Sequence, residues 1–299
     1  MRAGVRRVIA AMRDPDPRTA GRGFARLRKA GIRVEVGLRR REAAELNRVF
    51  IKRIATGLPY VVCKAAVSLD GKIACATGAS RWITGLPARR HAHALRGLAD
   101  AIVVGSGTLR QDDPELTVRL APGRRPHPPW RVVLAGRRPL PAKARIFRRD
   151  AGARLVVAYA APNGPPPGLD AGTETWALPA EPDGRVDTTA LVERLGREGA
   201  CFVLVEGGAE VHASFLGLSR RGAPVLADEV QWIVAPRILG GRDAPGAVGG
   251  AGAGTPAQGL AVSVMETRVL GPDRLIRGRL LDAGAGRTAS RGGNRCSRD

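Results

Sequence analysis

Hydrophobic and polar positions in the first 56 residues alternate with the periods of strands and helices. Period-two alternation predicts two short strands, and helical spacing predicts two helices. In chain order these segments are VRRVIAA (strand), GFARLRKAG (helix), IRVEVG (strand) and RREAAELNRVFIKRI (helix). The break Gly57-Leu58-Pro59 then interrupts the pattern and predicts a domain boundary, with one domain over residues 1–57 and the next from residue 58.

From Tyr60 to about Leu281, buried-strand and helix patterns alternate, as expected for an α/β domain with a mostly parallel sheet. The strand signals are YVVCKAAVSL, DAIVVGSGTL, WRVVLAG, ARLVVAYAA, CFVLVEGG and DEVQWIVAP. The helix signals are TGLPARRHAHALRGLA, DTTALVERLGREG and EVHASFLGLSRRG, the first with Thr84 as N-cap and Pro87 in its first turn. LAVSVMETRVLGPDRLIRGRL predicts an antiparallel hairpin at the sheet edge, turning at Gly271-Pro272-Asp273.

Two glycine-containing stretches and the carboxyl terminus lie outside these elements. APNGPPPGLDAG predicts a loop, and GGRDAPGAVGGAGAGTPAQG is either a surface loop or one that faces a ligand. Residues 282–299 are polar and glycine-rich, which predicts a disordered tail.

The net charge of +22 raises the possibility of nucleic-acid binding. About half of that excess lies in residues 1–53, which hold 16 Lys and Arg against 5 Asp and Glu. The basic residues are mostly Arg, without a basic block interleaved with aromatic residues, so an arginine-biased composition is favoured over nucleic-acid binding. Such a chain suits small anionic ligands.

Cysteine spacing and apolar run lengths exclude several other classes of protein. Cys63, Cys75, Cys201 and Cys296 are scattered and include no C-x-x-C pair, so neither a disulfide framework nor a zinc site is expected. No apolar run is long enough for a membrane span, and the first residues lack a signal-peptide core. We therefore expect a cytoplasmic protein with no membrane partner.

Three stretches of the second domain carry candidate chemistry. VVGSGTL and LVEGGAEVHASF each end a strand in glycine, which either lets a phosphate approach the main chain or simply closes an ordinary loop. LRQDDPELTVR holds Asp112, Asp113 and Arg119, either as turn residues or as a proton donor and a phosphate ligand. Lys64 interrupts a buried strand, so it either reaches an edge or faces a polar cleft.

Four segments together resemble one family, the bifunctional riboflavin-biosynthesis deaminase/reductase, over about residues 4–281. They are KAAVSLDGKIACATGASRWITG, ARRHAHALRGLADAIVVGSGTLRQDDPELTVR, VEGGAEVHASF and APRILGG, in this order. The resemblance implies a dihydrofolate reductase-like domain that uses NADPH to reduce the ribose of 5-amino-6-(5-phosphoribosylamino)uracil. It further implies a homodimer. A reductase of the same type with another substrate, or a basic nucleic-acid-binding protein, are the alternatives.

The resemblance also implies roles for individual residues. Lys64 and Asp112 are the catalytic candidates, which polarise or protonate the sugar. The implied cofactor-binding residues are Ala66, Trp82, Thr108, Asp112, Gly136, Gly208, Ala209, Glu210, Val211, His212, Ala213 and Ser214. The implied substrate-binding residues are Ser80, Arg96, Leu116, Arg119 and Glu206. Ala135-Gly136 departs from the family pattern of Asp and a small polar residue, so the cofactor contact there is either lost or made by main chain.

Residues 1–57 resemble only the last part of the family's zinc deaminase domain. The H-x-E and P-C-x-x-C metal-binding motifs are absent from this sequence. We therefore expect no zinc and no deaminase activity, and a remnant with exposed apolar surface and an unpaired strand edge.

Overall fold

The computed structural model describes residues 4–119, 128–148, 152–170 and 172–281. The chain divides into two compact units. The N-terminal unit comprises residues 1–60 and 193–201, and the main unit comprises residues 61–192 and 202–299. The predicted disordered tail, residues 282–299, lies outside the described residues.

The N-terminal unit contains a two-stranded parallel sheet and three helices. Its elements are β1 (Arg7–Ala10), α1 (Arg22–Lys29), β2 (Arg33–Val36), α2 (Arg40–Leu46) and α3 (Arg48–Thr56). The single helix predicted over 40–54 is wrong, because it breaks at Asn47. The Asn47 side-chain amide donates to the carbonyl oxygen of Ala43 at 2.8 Å, a local bond of the kind that competes with helix continuation.

The main sheet runs in the order β10-β11-β9-β3-β8-β4-β5-β6-β7. Its strands are β3 (Tyr60–Val67), β4 (Ala101–Gly105), β5 (Trp130–Leu134), β6 (Leu155–Ala160), β7 (Glu174–Leu178), β8 (Phe202–Val205), β9 (Glu229–Val234), β10 (Val262–Leu270) and β11 (Asp273–Leu280). β3 pairs with β9 in parallel, and β8, β4, β5, β6 and β7 form a parallel series. β11 pairs antiparallel with both β9 and β10. The predicted α/β fold with a mostly parallel sheet and an antiparallel edge hairpin is therefore confirmed.

The central strands are mostly apolar, as the sequence pattern requires of strands buried on both faces. Val61, Val103, Val133, Val157 and Val203 are fully buried. The helices of the main unit are α4 (Leu86–Leu98), α5 (Ser106–Asp112) and α7 (Ala209–Phe215), and α6 (Thr188–Arg197) has its last residues in the N-terminal unit.

The chain places β8 between β3 and β4, although β8 follows β7 in sequence. The strand order therefore reverses at the centre of the sheet, where open α/β sheets bind ligands beyond the carboxyl ends of their strands. The residues that follow β3, β8 and β4 carry the predicted chemistry.

Some predicted boundaries in the main unit are wrong. Thr84 does not cap α4. The helix begins after Gly85, whose main-chain N–H donates to the buried Asp273 carboxylate at 2.8 Å. The acceptor at the start of this helix is therefore a side chain far away in the sequence. α5 starts at Ser106, inside the predicted strand, and α7 ends at Phe215, before the predicted helix end. In the part of the chain that the structure describes, no helix is both long and apolar enough to cross a membrane.

Candidate active site

A cavity of about 980 Å³ opens at the ends of β3, β4 and β8 and is also lined by α4, α5 and the start of α7. All but three of the predicted site residues line it. Those that do are Lys64, Ala66, Ser80, Trp82, Arg96, Thr108, Asp112, Leu116, Arg119, Glu206, Gly208, Ala209, Glu210, Val211 and His212. The cavity brings together residues from segments that lie far apart in the sequence.

Gly136, Ala213 and Ser214 are the three predicted residues that do not line the cavity. The main-chain N–H of Gly136 donates to Ser106 Oγ at 3.1 Å, so it is occupied within the protein. Ala213 is fully buried, and the Ser214 hydroxyl donates to the carbonyl oxygen of Glu210. Their predicted contact with a cofactor has no support from this placement.

Lys64, Arg96 and Glu206 form a largely buried charged group in the cavity wall, with side-chain exposures of 13%, 16% and 9%. Arg96 donates to both carboxylate oxygens of Glu206, from Nε at 2.6 Å and from Nη2 at 2.8 Å. Lys64 Nζ lies 4.0 Å from Glu206 Oε2. Burial by itself would raise the pKa of Glu206, but the charges of Arg96 and Lys64 outweigh it and lower this pKa to about 2. Glu206 is therefore a carboxylate.

Lys64 is held less tightly than Arg96. Burial lowers the pKa of Lys64, and the nearby positive charge of Arg96 lowers it further, while Glu206 partly opposes both. Because Arg96 occupies both oxygens of Glu206, the Lys64 ammonium group stands beside the carboxylate at an ion-pair distance and not in a two-point contact. This arrangement favours a lysine that can give up a proton.

Ser80 and Asp112 contact each other at the cavity wall. The Ser80 hydroxyl donates to Asp112 Oδ1, and Arg81 donates to the main-chain carbonyl oxygen of Asp112. One residue predicted to bind substrate and one predicted to be catalytic are thus already hydrogen-bonded together.

The segment after α5, residues 113–119, is clamped from two sides. From α4, Arg96 donates to the Thr117 carbonyl oxygen at 3.3 Å, and His93 Nδ1 accepts the main-chain N–H of Arg119 at 3.1 Å. On the other side, Arg145 pairs with Asp113 at 3.2 Å and with Glu115 at 3.2 Å.

The same segment departs from ordinary backbone conformation at two positions. Asp113 has a φ of 40° and Leu116 a φ of 54°, in the left-handed region that side chains other than glycine rarely adopt. The two clamps therefore hold the segment that carries Leu116 and Arg119 in an otherwise unfavourable shape.

Glycines let α7 pack directly on the strand ends. A Cβ atom at Gly105 would lie 2.7 Å from Val211 Cγ2, and one at Gly207 would lie 2.4 Å from Val211 Cβ. Gly107, by contrast, borders open space, and a Cβ atom at Gly208 would approach only Thr108 Oγ1, at 3.4 Å. The main chain is thus bare where it faces the cavity.

His212 lines the cavity but is almost fully buried. Its Nδ1 is 2.9 Å from the carbonyl oxygen of Ala247, so Nδ1 carries the proton and donates it to this carbonyl. Its ring also contacts Trp232, with centroids 5.5 Å apart. His212 thereby connects α7 to the glycine-rich loop that the sequence left without an assigned role.

Sequence reasoning missed five charged or titratable residues of this cavity, Arg81, Arg89, His93, Glu115 and Arg145. Arg89, His93 and Arg96 follow the spacing i, i+4, i+7 on one face of α4, and this signal was available in the sequence. In the described residues, no three His, Cys, Asp or Glu side chains form a group that could hold a metal ion.

Residues 59–276 match the model of the RibD C-terminal domain. The chain belongs to the RibD family. It is 36% identical over 261 residues to the riboflavin biosynthesis protein RibD of Bacillus amyloliquefaciens, covering 84% of this chain and 66% of that protein. With RibD of Escherichia coli K12 the identity is 35% over 281 residues, covering 91% of this chain and 73% of that protein.

A RibD-family crystal structure has the same fold. The diaminohydroxyphosphoribosylaminopyrimidine deaminase/5-amino-6-(5-phosphoribosylamino)uracil reductase from Thermotoga maritima superposes with a TM-score of 0.75 at 28% identity, over 94% of this chain and 73% of that one. The chain thus spans about two thirds to three quarters of the length of these RibD proteins.

Proposed function

We propose that this chain reduces the ribose of 5-amino-6-(5-phosphoribosylamino)uracil to the ribitylamino product, with NADPH as reductant. The observation that carries the proposal is the buried group of Lys64, Arg96 and Glu206, in a cavity at the reversal point of the sheet. The reductase named in the Thermotoga maritima relative supplies the substrate class, and the match to the RibD C-terminal domain supports its transfer to this chain.

The cavity fits a dinucleotide together with a ribotide. Its volume of about 980 Å³ lies at the upper end of the range for small-molecule sites. Gly107 and Gly208 leave main chain uncovered, so a phosphate group can approach it closely. Thr108 and the residues from Gly208 to Val211 would hold the cofactor there, with Trp82 beside it.

When bound, the nicotinamide ring supplies a hydride. The bond between C1 of the ribose and its ring oxygen breaks as C1 receives the hydride. The ring oxygen stays on the opened sugar chain and becomes a hydroxyl group by taking up one proton. The chain must therefore hold a proton donor next to the sugar. Its remaining task is to bind and orient the substrate.

Lys64 Nζ is the proton donor in this proposal. Its lowered pKa and its loose pairing with Glu206 support that role. Asp112, the other catalytic candidate, accepts a hydrogen bond from Ser80, which favours a role in orienting Ser80 toward the substrate. Glu206, held as a carboxylate by Arg96, is the acceptor for hydroxyl or amino groups of the substrate.

The remaining expectations concern the rest of the molecule. We propose that the chain acts in the cytoplasm as a homodimer, without zinc and without deaminase activity. The absence of the H-x-E and P-C-x-x-C motifs from the sequence supports the last two points.

The test is NADPH oxidation by the purified chain, given the deaminated aminouracil ribotide in a buffer without zinc. We expect oxidation of one NADPH for each ribitylamino product formed. A parallel assay uses the diaminopyrimidine ribotide, the compound before deamination, with zinc added. It should show no deamination. NADPH binding without oxidation would contradict the proposed substrate and favour another one.

A further inference from the structure

Six cationic side chains line the cavity, and five of them already have an acceptor within the described residues. The six are Lys64, Arg81, Arg89, Arg96, Arg119 and Arg145. Lys64 and Arg96 pair with Glu206. Arg119 pairs with Glu115, and Arg145 pairs with Asp113 and Glu115.

Arg81 and Arg89 have no carboxylate partner within the described residues. Arg81 donates to the main-chain carbonyl oxygen of Asp112, so one of its donors is occupied. Arg89 donates no hydrogen bond to a described residue, and its Nε is buried without an acceptor. A buried donor that lacks an acceptor is destabilising, and more so when it is charged. Arg89 is therefore the cavity cation that a ligand would satisfy.

Arg89 is also held in a defined orientation. Its guanidinium carbon lies 4.2 Å from the centroid of the Trp82 ring, and that of Arg81 lies 5.7 Å from the same ring. Stacking on an aromatic face fixes the plane of a guanidinium group. Nε of Arg89 is buried, but its two Nη groups are not, and they can meet a ligand. On α4, Arg89 precedes His93 and Arg96 by one and two turns, so its position belongs to the same cavity-facing stripe.

A guanidinium group with a fixed plane and open N–H edges matches a phosphate group, which it binds through two parallel hydrogen bonds. Arg96 and Arg119, which the resemblance implies bind the substrate, are both already neutralised by carboxylates. Arg81 and Arg89 are the cavity cations without a carboxylate partner in the described residues, and of these two Arg89 also lacks any hydrogen-bond acceptor there.

We propose that Arg89, stacked on Trp82, binds a phosphate monoester of a ligand in this cavity. The identity of the ligand rests on the proposed function, which offers two sources of that group. They are the 5-phosphate of the ribotide and the 2′-phosphate of NADPH. The contact between arginine and phosphate is the same in both cases.

Binding without turnover tests this proposal. The affinities of ribose 5-phosphate and of adenosine 2′-monophosphate are measured by calorimetry for the wild-type chain, Arg89→Gln and Arg90→Gln. Arg90 is the matched control, because it is the next residue of α4, carries the same charge and is exposed outside the cavity lining. Ribose and adenosine serve as the ligands that lack the phosphate.

We expect Arg89→Gln to weaken one of the two phosphate esters roughly tenfold or more, since charge-assisted hydrogen bonds contribute about 1.5–3 kcal/mol. Arg90→Gln should leave both affinities within twofold, and the ligands without phosphate should not distinguish the variants. Loss of ribose 5-phosphate binding assigns Arg89 to the substrate, and loss of adenosine 2′-monophosphate binding assigns it to the cofactor.

Affinities that are equal in the wild-type chain and in Arg89→Gln would overturn the proposal, as would a wild-type chain that does not prefer either phosphate ester over its dephosphorylated form. A melting temperature measured for each variant excludes unfolding. If Arg89→Gln unfolds, Arg89→Lys replaces it, which keeps the charge but lacks the fork and should show a smaller loss. Failure of NADPH oxidation would leave this result unaffected, so the two proposals fail separately.

Discussion

Lys64 is a charged residue in a strand that is otherwise apolar, and its surroundings determine its chemistry. If it donates the proton to the ring oxygen, Lys64→Met should lower kcat about a hundredfold, the lower range for general acid catalysis. The affinity for NADPH should stay unchanged, because Arg96 still neutralises Glu206 in the variant. Steady-state kinetics and a separate cofactor titration check both parts.

Lys143→Met is the matched control for this change, since Lys143 is an exposed lysine of the main unit outside the cavity lining. It should retain the kinetic constants of the wild-type chain. An unchanged kcat in Lys64→Met would remove the catalytic role from Lys64.

His93 makes the stability of the protein depend on pH. Burial lowers its pKa from 6.5 to about 4, and the charges of Arg96 and Arg119 act in the same direction. The unfolded chain therefore takes up a proton at a higher pH than the folded chain does. As a result, the His93 contribution to the free energy of unfolding falls as the pH drops from about 6.5 to about 4, and it is fully present above that window.

His93→Asn isolates this effect, because an amide oxygen can still accept the Arg119 N–H but does not titrate near neutral pH. Urea unfolding at pH 7.5 and at pH 5 should show a smaller loss of stability in the variant than in the wild-type chain. His91 and His212 also have lowered pKa values through burial, and they act equally in both proteins. An identical loss in the two proteins would contradict the role of His93.

At the scale of elements, the contact between α7 and the strand ends depends on the absence of a side chain at Gly105. Gly105→Ala would bring a Cβ atom within 2.7 Å of Val211 Cγ2 and should destabilise the fold by about 1–3 kcal/mol, as overpacking does. Adding Val211→Ala removes Cγ2, so the double variant should cost less than the sum of the single changes. Urea unfolding of the four proteins measures this coupling.

Gly107→Ala provides the reference for that experiment. A Cβ atom there would meet nothing within 4 Å, and the residue lies in helix α5, so stability should be unchanged or slightly higher. Additive effects of Gly105→Ala and Val211→Ala would show that α7 shifts to make room.

Several of the strands that the sequence predicted correctly are almost uniformly buried. β4 and β8 are continuous apolar runs, and β3 and β5 are apolar apart from Lys64 and Arg131. The hairpin of β10 and β11 turns where Gly271-Pro272-Asp273 predicts it. β7 was missed because its residues ETWAL alternate in burial, and Glu174 is tied up by Arg154 and Trp176. The split between α2 and α3 coincides with side-chain hydrogen bonds from Asn47 and Arg48 to main-chain carbonyl oxygens, which the helical spacing does not reveal.

The candidate site was less accessible from the sequence than the fold. A lysine within a buried strand pointed to Lys64, but its partner Glu206 lies just after the end of β8, and Arg96 lies on a helix 110 residues before Glu206. Ion pairs between residues far apart in the sequence determine which cations of the cavity are neutralised and which have no carboxylate partner. The spacing on α4 could have placed Arg89 in the cavity, but only the three-dimensional arrangement shows that it lacks an acceptor.

At the scale of the whole molecule, the sheet ends in an edge strand with an apolar exposed side. β10 follows β11 as the last strand of the order, and Val262, Val264 and Val269 on it are exposed. An apolar edge of this kind is typical of an interface. We expect light scattering after gel filtration to show a dimer, and Val264→Lys to shift it to a monomer.

The control for that shift is Val225→Lys, which introduces the same charge at another exposed valine, in a loop before β9. It should leave the dimer intact. A wild-type chain that is monomeric at every concentration tested would contradict the homodimer.

The position of β8 in the sheet also affects how the chain can fold while it is being synthesised. β3 is synthesised early, but its neighbours in the sheet, β8 and β9, end at Val205 and Val234. Val61, Val62 and Cys63 have no exposed surface in the folded protein. They therefore cannot be covered by both neighbouring strands until synthesis has passed residue 234. Contacts of such long sequence separation slow folding and prolong the exposure of aggregation-prone strands. If synthesis stalls before residue 202, neither β8 nor β9 exists yet, so β3, the strand that carries Lys64, has no strand to pair with.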